Sequence, residues 1–222
     1  MVANRFSTTP PLENGDRLTR IEFERRYAAM SNLKKAELIE GVVYMPAALR
    51  FENHAEPHSR IMTCLGVYQA FTPGVRVGDN PTVRLDLDNA PQPDAILAID
   101  GGQARISTDD YIEGAPELVV EIAASSVAYD LYDKKRVYRR SGIQEYLVWR
   151  VYDREFDWFR LQEGEYIKLE ANDRGIICSI AFPGLWLKVD SLLSGEMQQV
   201  LEVLQQGLKT VEHQEFIGEI GK

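Results

Sequence analysis

Glu117-Leu118-Val119-Val120-Glu121-Ile122-Ala123-Ala124, closed by Ser125-Ser126, is the stretch whose reading decides the fold. Its apolar run has the length and β-branched content of a buried strand, and the polar serine pair bounds it. Glu121 at its centre must shed water, which is costly unless a metal or a cation compensates. Pro93-Asp94 opens a second strand-like run, Ala95-Ile96-Leu97-Ala98-Ile99. Two acids on apolar strands, followed by the lysine-bearing segment from Asp130 to Ser141, point to a metal site for phosphodiester chemistry.

Working outward, helical spacing begins near Thr19, with Ile21, Phe23, Tyr27, Met30 and Leu33 on one face. The run Ala36 to Gly41 turns into a strand, Val42 to Met45, that stops at Pro46. A helix is predicted from about Pro57 to Phe71, with Ile61, Leu65 and Tyr68 inward and Pro57 in its first turn. Thr82 to Asp88 alternates as a half-exposed strand does, and Asn89 to Gln92 forms a turn before the Asp94 strand. A helix from about Asp130 to Ser141 ends at Gly142, followed by a strand, Glu145 to Trp149. Asp153 to Leu161, Glu165 to Glu170 and Gly175 to Ile180 have the look of a meander. A last amphipathic helix starts near Asp190 and fades after Gln206. The order predicts an α/β core. Residues 1–18 are expected to form a flexible leader, 19–207 one domain, and 208–222 a tail.

The chain has 222 residues, enough for a sizeable core, and its 45% hydrophobic and 27% charged residues are ordinary for a soluble globular protein. Its net charge of −9 argues against a protein that coats nucleic acid through bulk electrostatics. A local basic patch, or divalent metals neutralising acids in a cleft, remains compatible with it. Cys64 and Cys178 lack metal-ligand spacing and are expected to be buried or idle thiols in a reducing compartment. No apolar run reaches a membrane span and the N-terminus lacks an apolar signal region, so the cytoplasm is the expected location.

Hydrolysis of a phosphodiester needs a cation to offset phosphate charge and to activate water. Hard divalent ions take carboxylate oxygens, commonly one or two plus waters. A lysine nearby orients water or stabilises developing charge. Asp94, Glu121 and a nearby lysine meet that requirement, with the Ile122 backbone carbonyl as an extra ligand.

At these residues the chain resembles the PD-(D/E)XK nuclease superfamily, and within it the Uma-type restriction-endonuclease family. The matching pieces come in order: Glu37-Leu38-Ile39-Glu40-Gly41, His58 opening a helix, Pro93-Asp94, and Pro116 to Ile122 with Ser125-Ser126. Asp130-Leu131-Tyr132-Asp133-Lys134 ahead of Tyr138, Gly142 to Tyr146, and Pro183-Gly184-Leu185 complete them. The resemblance implies a restriction-endonuclease-like fold, a mixed central sheet flanked by helices, here with an added antiparallel meander. It implies DNA cleavage dependent on Mg²⁺, with Mn²⁺ as substitute, and with Asp94 and Glu121 as metal ligands. A homodimer is expected from symmetric duplex substrates and from the superfamily. The superfamily's usual lysine would fall at Ala123, which cannot serve; the resemblance to the family implies that this lysine has moved to the following helix, where Lys134 takes the matching position. Arg150 stands where many members carry an acid, and is read as peripheral.

Each residue also has a plainer explanation. Asp94 is a turn residue after Pro93 if it does no chemistry. Glu121 could pair with Arg136 or Arg139, and Lys134 with Asp130 as a helix-surface pair, with Lys135 as the alternative lysine. Glu37 could reach the metal through water from the first helix, or be a solvated acid there, with Glu40 competing. His54-Ala55-Glu56-Pro57-His58 superficially resembles a zinc-protease helix, but the glutamate is displaced and Pro57 is expected to keep the imidazoles off one face; His58 could line the cleft instead. Trp149, Phe156, Trp158 and Phe159 are read as sheet core or dimer contact. The competing function is a non-catalytic binding or scaffold module that keeps the fold and a degenerate metal site.

Overall fold

In a computed structural model of the protein, which describes residues 9–46 and 50–221, Leu118–Ala123 is a strand buried at all six positions. It lies inside a sheet covered on both faces, which is why its sequence is almost continuously apolar.

The chain opens with α1 (Arg20–Ala28), a hairpin of β1 (Glu37–Ile39) and β2 (Val42–Tyr44), and α2 (Glu56–Ala70), which is entered through a π-helical turn, Phe51–Ala55. Next come β3 (Val75–Asp79), β4 (Val83–Arg84), β5 (Ala95–Ile99), β6 (Arg105–Ile106), β7 (Ile112–Glu113) and β8, the buried Leu118–Ala123. A second π-helical turn, Tyr129–Lys134, runs into α3 (Lys135–Arg140). Then follow β9 (Glu145–Arg150), β10 (Glu155–Gln162), β11 (Glu165–Lys168), β12 (Ile176–Cys178), β13 (Trp186–Lys188), α4 (Val189–Ser194), α5 (Met197–Gly207) and α6 (Val211–Ile220).

Six strands form the central mixed sheet in the order β11-β10-β9-β8-β5-β3. Only β8 and β9 run parallel, with Glu121 opposite Val148, while β5 runs antiparallel to β8 with Ala95 opposite Val120. Alternation divides β8 between two cores. Leu118, Val120 and Ile122 join α2, α5 and α6 through Leu65, Tyr68, Leu204 and Phe216. Val119 and Ala123 join the α3 side with Tyr138 and Tyr146. Glu121, between Val119 and Ala123, therefore faces α3. The tryptophans and phenylalanines of β9 and β10 are sheet core.

The α/β architecture with a mixed central sheet, the Asp94 strand, the helix with Ile61, Leu65 and Tyr68 inward, and the stop at Gly142 (φ +83°) all stand. Elsewhere the structure corrects the sequence reading. Residues 9–18 are no loose leader: Leu12 packs with Phe23, Leu38 and Val43, and Gly15 and Leu18 donate to Val43 and Gly41 at 2.8 Å. Residues 1–8 lie outside the described part of the chain. Ile21 is exposed. The strand expected over 82–88 shrinks to Val83–Arg84, because the Asp86 carboxylate accepts from the Asp88 backbone and Asn89 side-chain amides and folds the chain into a turn.

Gly175–Ile180 is not the third strand of the meander; β12 pairs with β13 in a separate hairpin. The C-terminal helix is broken at Gly195 (φ +85°), and the expected tail forms α6, its first turn capped by Thr210 accepting from the His213 amide. Buried Phe216 anchors it, and the His213 ring bridges Leu208 O and Thr72 Oγ1 at 2.9 Å each. Cys64 and Cys178 are free thiols. Among the described residues no helix is long and apolar enough to cross a membrane.

Candidate active site

The β5 and β8 ends, the β1 strand and both π-helical turns converge on a cleft of about 640 Å³. Asp94 sits just before β5, and its Oδ2 accepts the Ile122 backbone N–H at 2.8 Å. Its Oδ1 lies 3.1 Å from Lys35 Nζ and 3.2 Å from His54 Nε2. Glu121 Oε1 accepts from Lys134 Nζ at 2.9 Å and from Tyr138 Oη at 2.7 Å. Lys134 Nζ also lies 2.9 Å from Glu37 Oε1 and 3.6 Å from Asp130 Oδ1. Glu37, Asp94, Glu121 and Lys134 are each about 3% exposed, so these charges meet in a largely dry floor.

The structure thus brings together Asp94, Glu121, Lys134 and Glu37. It corrects Glu37's setting: the residue lies on β1, not the first helix, and accepts the Gln92 amide at 2.7 Å. Lys134 is no surface partner of Asp130, since both are buried. Arg136 and Arg139 do not pair with Glu121; they hold Glu40 and Glu165 at the surface. Lys135 turns away, its ammonium 3.4 Å from the Phe159 ring centroid, and Arg150 is occupied by Asp153 and Asp157.

The geometry follows from local backbone. A π-helical turn adds a residue to the turn, and such turns recur at functional sites. Here it turns Tyr129, Asp130 and Lys134 together toward the cleft. The small Ala123 side chain lies on the same face of β8 as Glu121, beneath the arriving segment.

Two residues of the site went unread in the sequence. Lys35 stands two positions before Glu37, so the alternation of an extended segment was its available signal. The zinc-like pattern gives His54 no role, and the sequence places His58 at the cleft instead. The structure reverses this: His54 lines the cleft, whereas His58 donates to the Asp94 backbone oxygen at 2.9 Å and stands 3.2 Å from Asp79. Pro57 does not separate the imidazoles, because it occupies the first turn of α2, and the rings stand 5.8 Å apart over Asp94. Among the described residues no three His, Cys, Asp or Glu are grouped to hold a metal by themselves.

Burial alone would raise the Asp94 carboxyl, but the His54 hydrogen bond, Lys35 and the Ile122 amide outweigh it and hold it well below the usual range. Burial pushes Glu121 well up against the pull of Lys134, helped by Asp130, Asp94 and Glu37. Lys134 is driven up despite burial by Glu121, Glu37 and Asp130. The two directions agree: one ammonium cannot neutralise three buried carboxylates, so Lys134 stays charged and Glu121 favours holding a proton. Buried acids elsewhere are satisfied differently. Glu117 accepts the Ile99 and Gln103 amides, and Glu145 accepts Trp158, Ser179 and two backbone amides.

Residues 21–190 match the model of the Uma2 family, described as "Putative restriction endonuclease". The chain belongs to the Uma2 family. This Uma2 chain is also similar in fold to a solved structure from Anabaena variabilis ATCC 29413, titled a putative nuclease belonging to DUF820. The TM-score is 0.57 at 15% identity, over 80% of this chain and 98% of that one. No curated protein matches the chain. The comparisons agree with the mixed sheet flanked by helices and with the family resemblance read from Pro93-Asp94 and Glu121.

Proposed function

We propose that this Uma2 protein is a divalent-metal-dependent endodeoxyribonuclease, with Asp94 and Glu121 holding Mg²⁺ or Mn²⁺ and Lys134 acting beside them. The observation that carries it is Lys134 Nζ at 2.9 Å from Glu121 Oε1, reaching from another element the acid that Ala123 leaves without its usual lysine.

The donor set fits a hard ion. Its donors are carboxylate oxygens, and no hydrogen bond from the described residues reaches Glu121 Oε2. The cleft sets four carboxylates, Glu37, Asp94, Glu121 and Asp130, against three cations, Lys35, Arg50 and Lys134. A phosphodiester gains little attraction from that balance until positive charge is added. The Ile122 N–H points to the β5 side, and its carbonyl shares that edge of β8, because the neighbouring Ala123 carbonyl faces β9 and accepts from Val151. The Ile122 carbonyl is therefore the third protein ligand in this proposal. A bound divalent ion would supply charge neutralisation at phosphorus and a more acidic water.

The chain's own groups do the rest. The His54 and Lys35 contacts keep Asp94 ionised and fixed. Tyr138 and Lys134 orient Glu121 through Oε1 and leave Oε2 for the ligand. Lys134, anchored by Glu37, offers its remaining N–H to a non-bridging phosphate oxygen or to the attacking water. Water attack forms one P–O bond as the other breaks, leaving a phosphate monoester and a hydroxyl. A homodimer would carry two such sites, and the cytoplasm is the proposed location.

A metal-binding scaffold without turnover is the alternative, and the caging of Lys134 by three carboxylates favours it. Nicking of supercoiled plasmid with Mn²⁺, with Asp94→Ala as control, separates the two. Metal-dependent nicking lost in Asp94→Ala supports the nuclease; absence of cleavage of plasmid and of single-stranded DNA alike with Mg²⁺ and Mn²⁺, alongside retained metal binding, supports the scaffold.

A further inference from the structure

One wall of the cleft is aromatic, and among the described residues two of its buried polar atoms have no partner. Tyr44 and Tyr129 line the cleft with ring centroids 4.1 Å apart, and Tyr152 stands exposed at its mouth, where its hydroxyl accepts from Asn53. Tyr129 Oη and His54 Nδ1 are buried and have no hydrogen-bond partner among the described residues. His54 is more than nine-tenths buried, with Nε2 already committed to Asp94. Native proteins rarely leave such atoms unpaired unless a ligand completes them.

Size and charge narrow the ligand. A volume of about 640 Å³ is that of a small-molecule pocket, and the acids lie at its floor. A stacked duplex presents only its outer surface, so a strand must leave the helix for one nucleotide to enter such a pocket. The arginines of α3 offer little track for a duplex backbone. Arg136 and Arg140 are held by Glu40, Arg139 by Glu165, and the whole chain carries −9. Aromatic side chains, in contrast, suit unpaired bases of any sequence.

We propose that the cleft seats one unpaired DNA nucleotide, its base against the Tyr44–Tyr129 wall and Tyr152, with Tyr129 Oη and His54 Nδ1 completing its hydrogen bonds. The preferred substrate is then single-stranded, flapped or bulged DNA, not intact duplex. This rests on the nuclease function proposed above and names its substrate class.

The test is fluorescence anisotropy with a short labelled oligonucleotide as single strand, as bulged duplex and as perfect duplex, followed by gel cleavage of the same three DNAs with Mn²⁺. The single strand and the bulge should bind at least about tenfold more tightly than the duplex, and Tyr152→Ala should weaken single-strand binding on the order of tenfold. Tyr129→Phe should weaken it about fivefold while the Tm of the free protein rises by about 2–4 °C, because a buried, unpartnered hydroxyl is removed. A structural hydroxyl would not produce that opposition. Duplex bound and cut as well as single strand overturns the proposal and leaves the nuclease function intact. Single-strand preference without cleavage supports the proposed pocket and removes the nuclease function. Failure to bind any of the three DNAs overturns both.

Discussion

Lys134 Nζ stands 2.9 Å from both Glu121 Oε1 and Glu37 Oε1, joining β1 and β8 into one charged floor. Removing its ammonium leaves three buried carboxylates facing one another. Lys134→Ala should therefore lose about 3–5 kcal/mol at neutral pH by urea unfolding. Lys135→Ala, which loses a contact with the Phe159 ring, should lose about 1 kcal/mol or less.

The apo protein should grow less stable as pH rises through the Glu121 titration. Its folded value lies above the ordinary 4.5, so the proton it holds favours the fold below that value. That contribution declines as pH climbs through the folded value. Glu121→Gln removes the titration, and its stability curve should be flatter than wild type on the alkaline side of pH 4.5. Urea midpoints measured across pH without metal will show whether the two curves converge.

Asp94 should behave in the opposite sense. Its carboxyl is held low, so its stabilisation is present above the ordinary 3.8 and is lost only as pH falls through the folded value. Asp94→Asn should cost about 1.5–3 kcal/mol at pH 7, because Lys35 and His54 lose a charged acceptor. The gap to wild type should narrow in acid below pH 3.8.

Glu145 supplies a control with comparable burial and no part in the cleft. Its carboxylate holds the 179–181 loop through Ser179 and two backbone amides. Glu145→Gln should lower stability by about 1–3 kcal/mol and leave Mn²⁺ affinity at the wild-type value by calorimetry.

How much of this was legible in the sequence varied with the range of the forces involved. The Glu121 strand, the Asp94 strand and the inward face of α2 follow from local periodicity, which one sequence displays directly. The acids were visible because a carboxylate in an apolar run is costly wherever the fold places it. Lys35 and His54 were not visible as partners of Asp94, since their contacts span 59 and 40 residues and follow no period. The π-helical turn at Tyr129–Lys134 has the same composition as an ordinary helical turn, so Tyr129 gave no sign that it would enter the cleft. The 82–88 alternation misled because Asp86 could satisfy the backbone more cheaply as a turn than the short strand could.

The most direct test of the site is Glu121→Gln, which keeps shape and removes one ligand charge. Mn²⁺ titration calorimetry and plasmid nicking should be run on wild type and variant from the same preparation. The expected result is a folded variant with metal affinity lowered at least about tenfold and nicking abolished. A Glu121→Gln protein that binds Mn²⁺ and nicks plasmid at the wild-type rate would contradict the assignment of Glu121, and with it the catalytic role of this cleft.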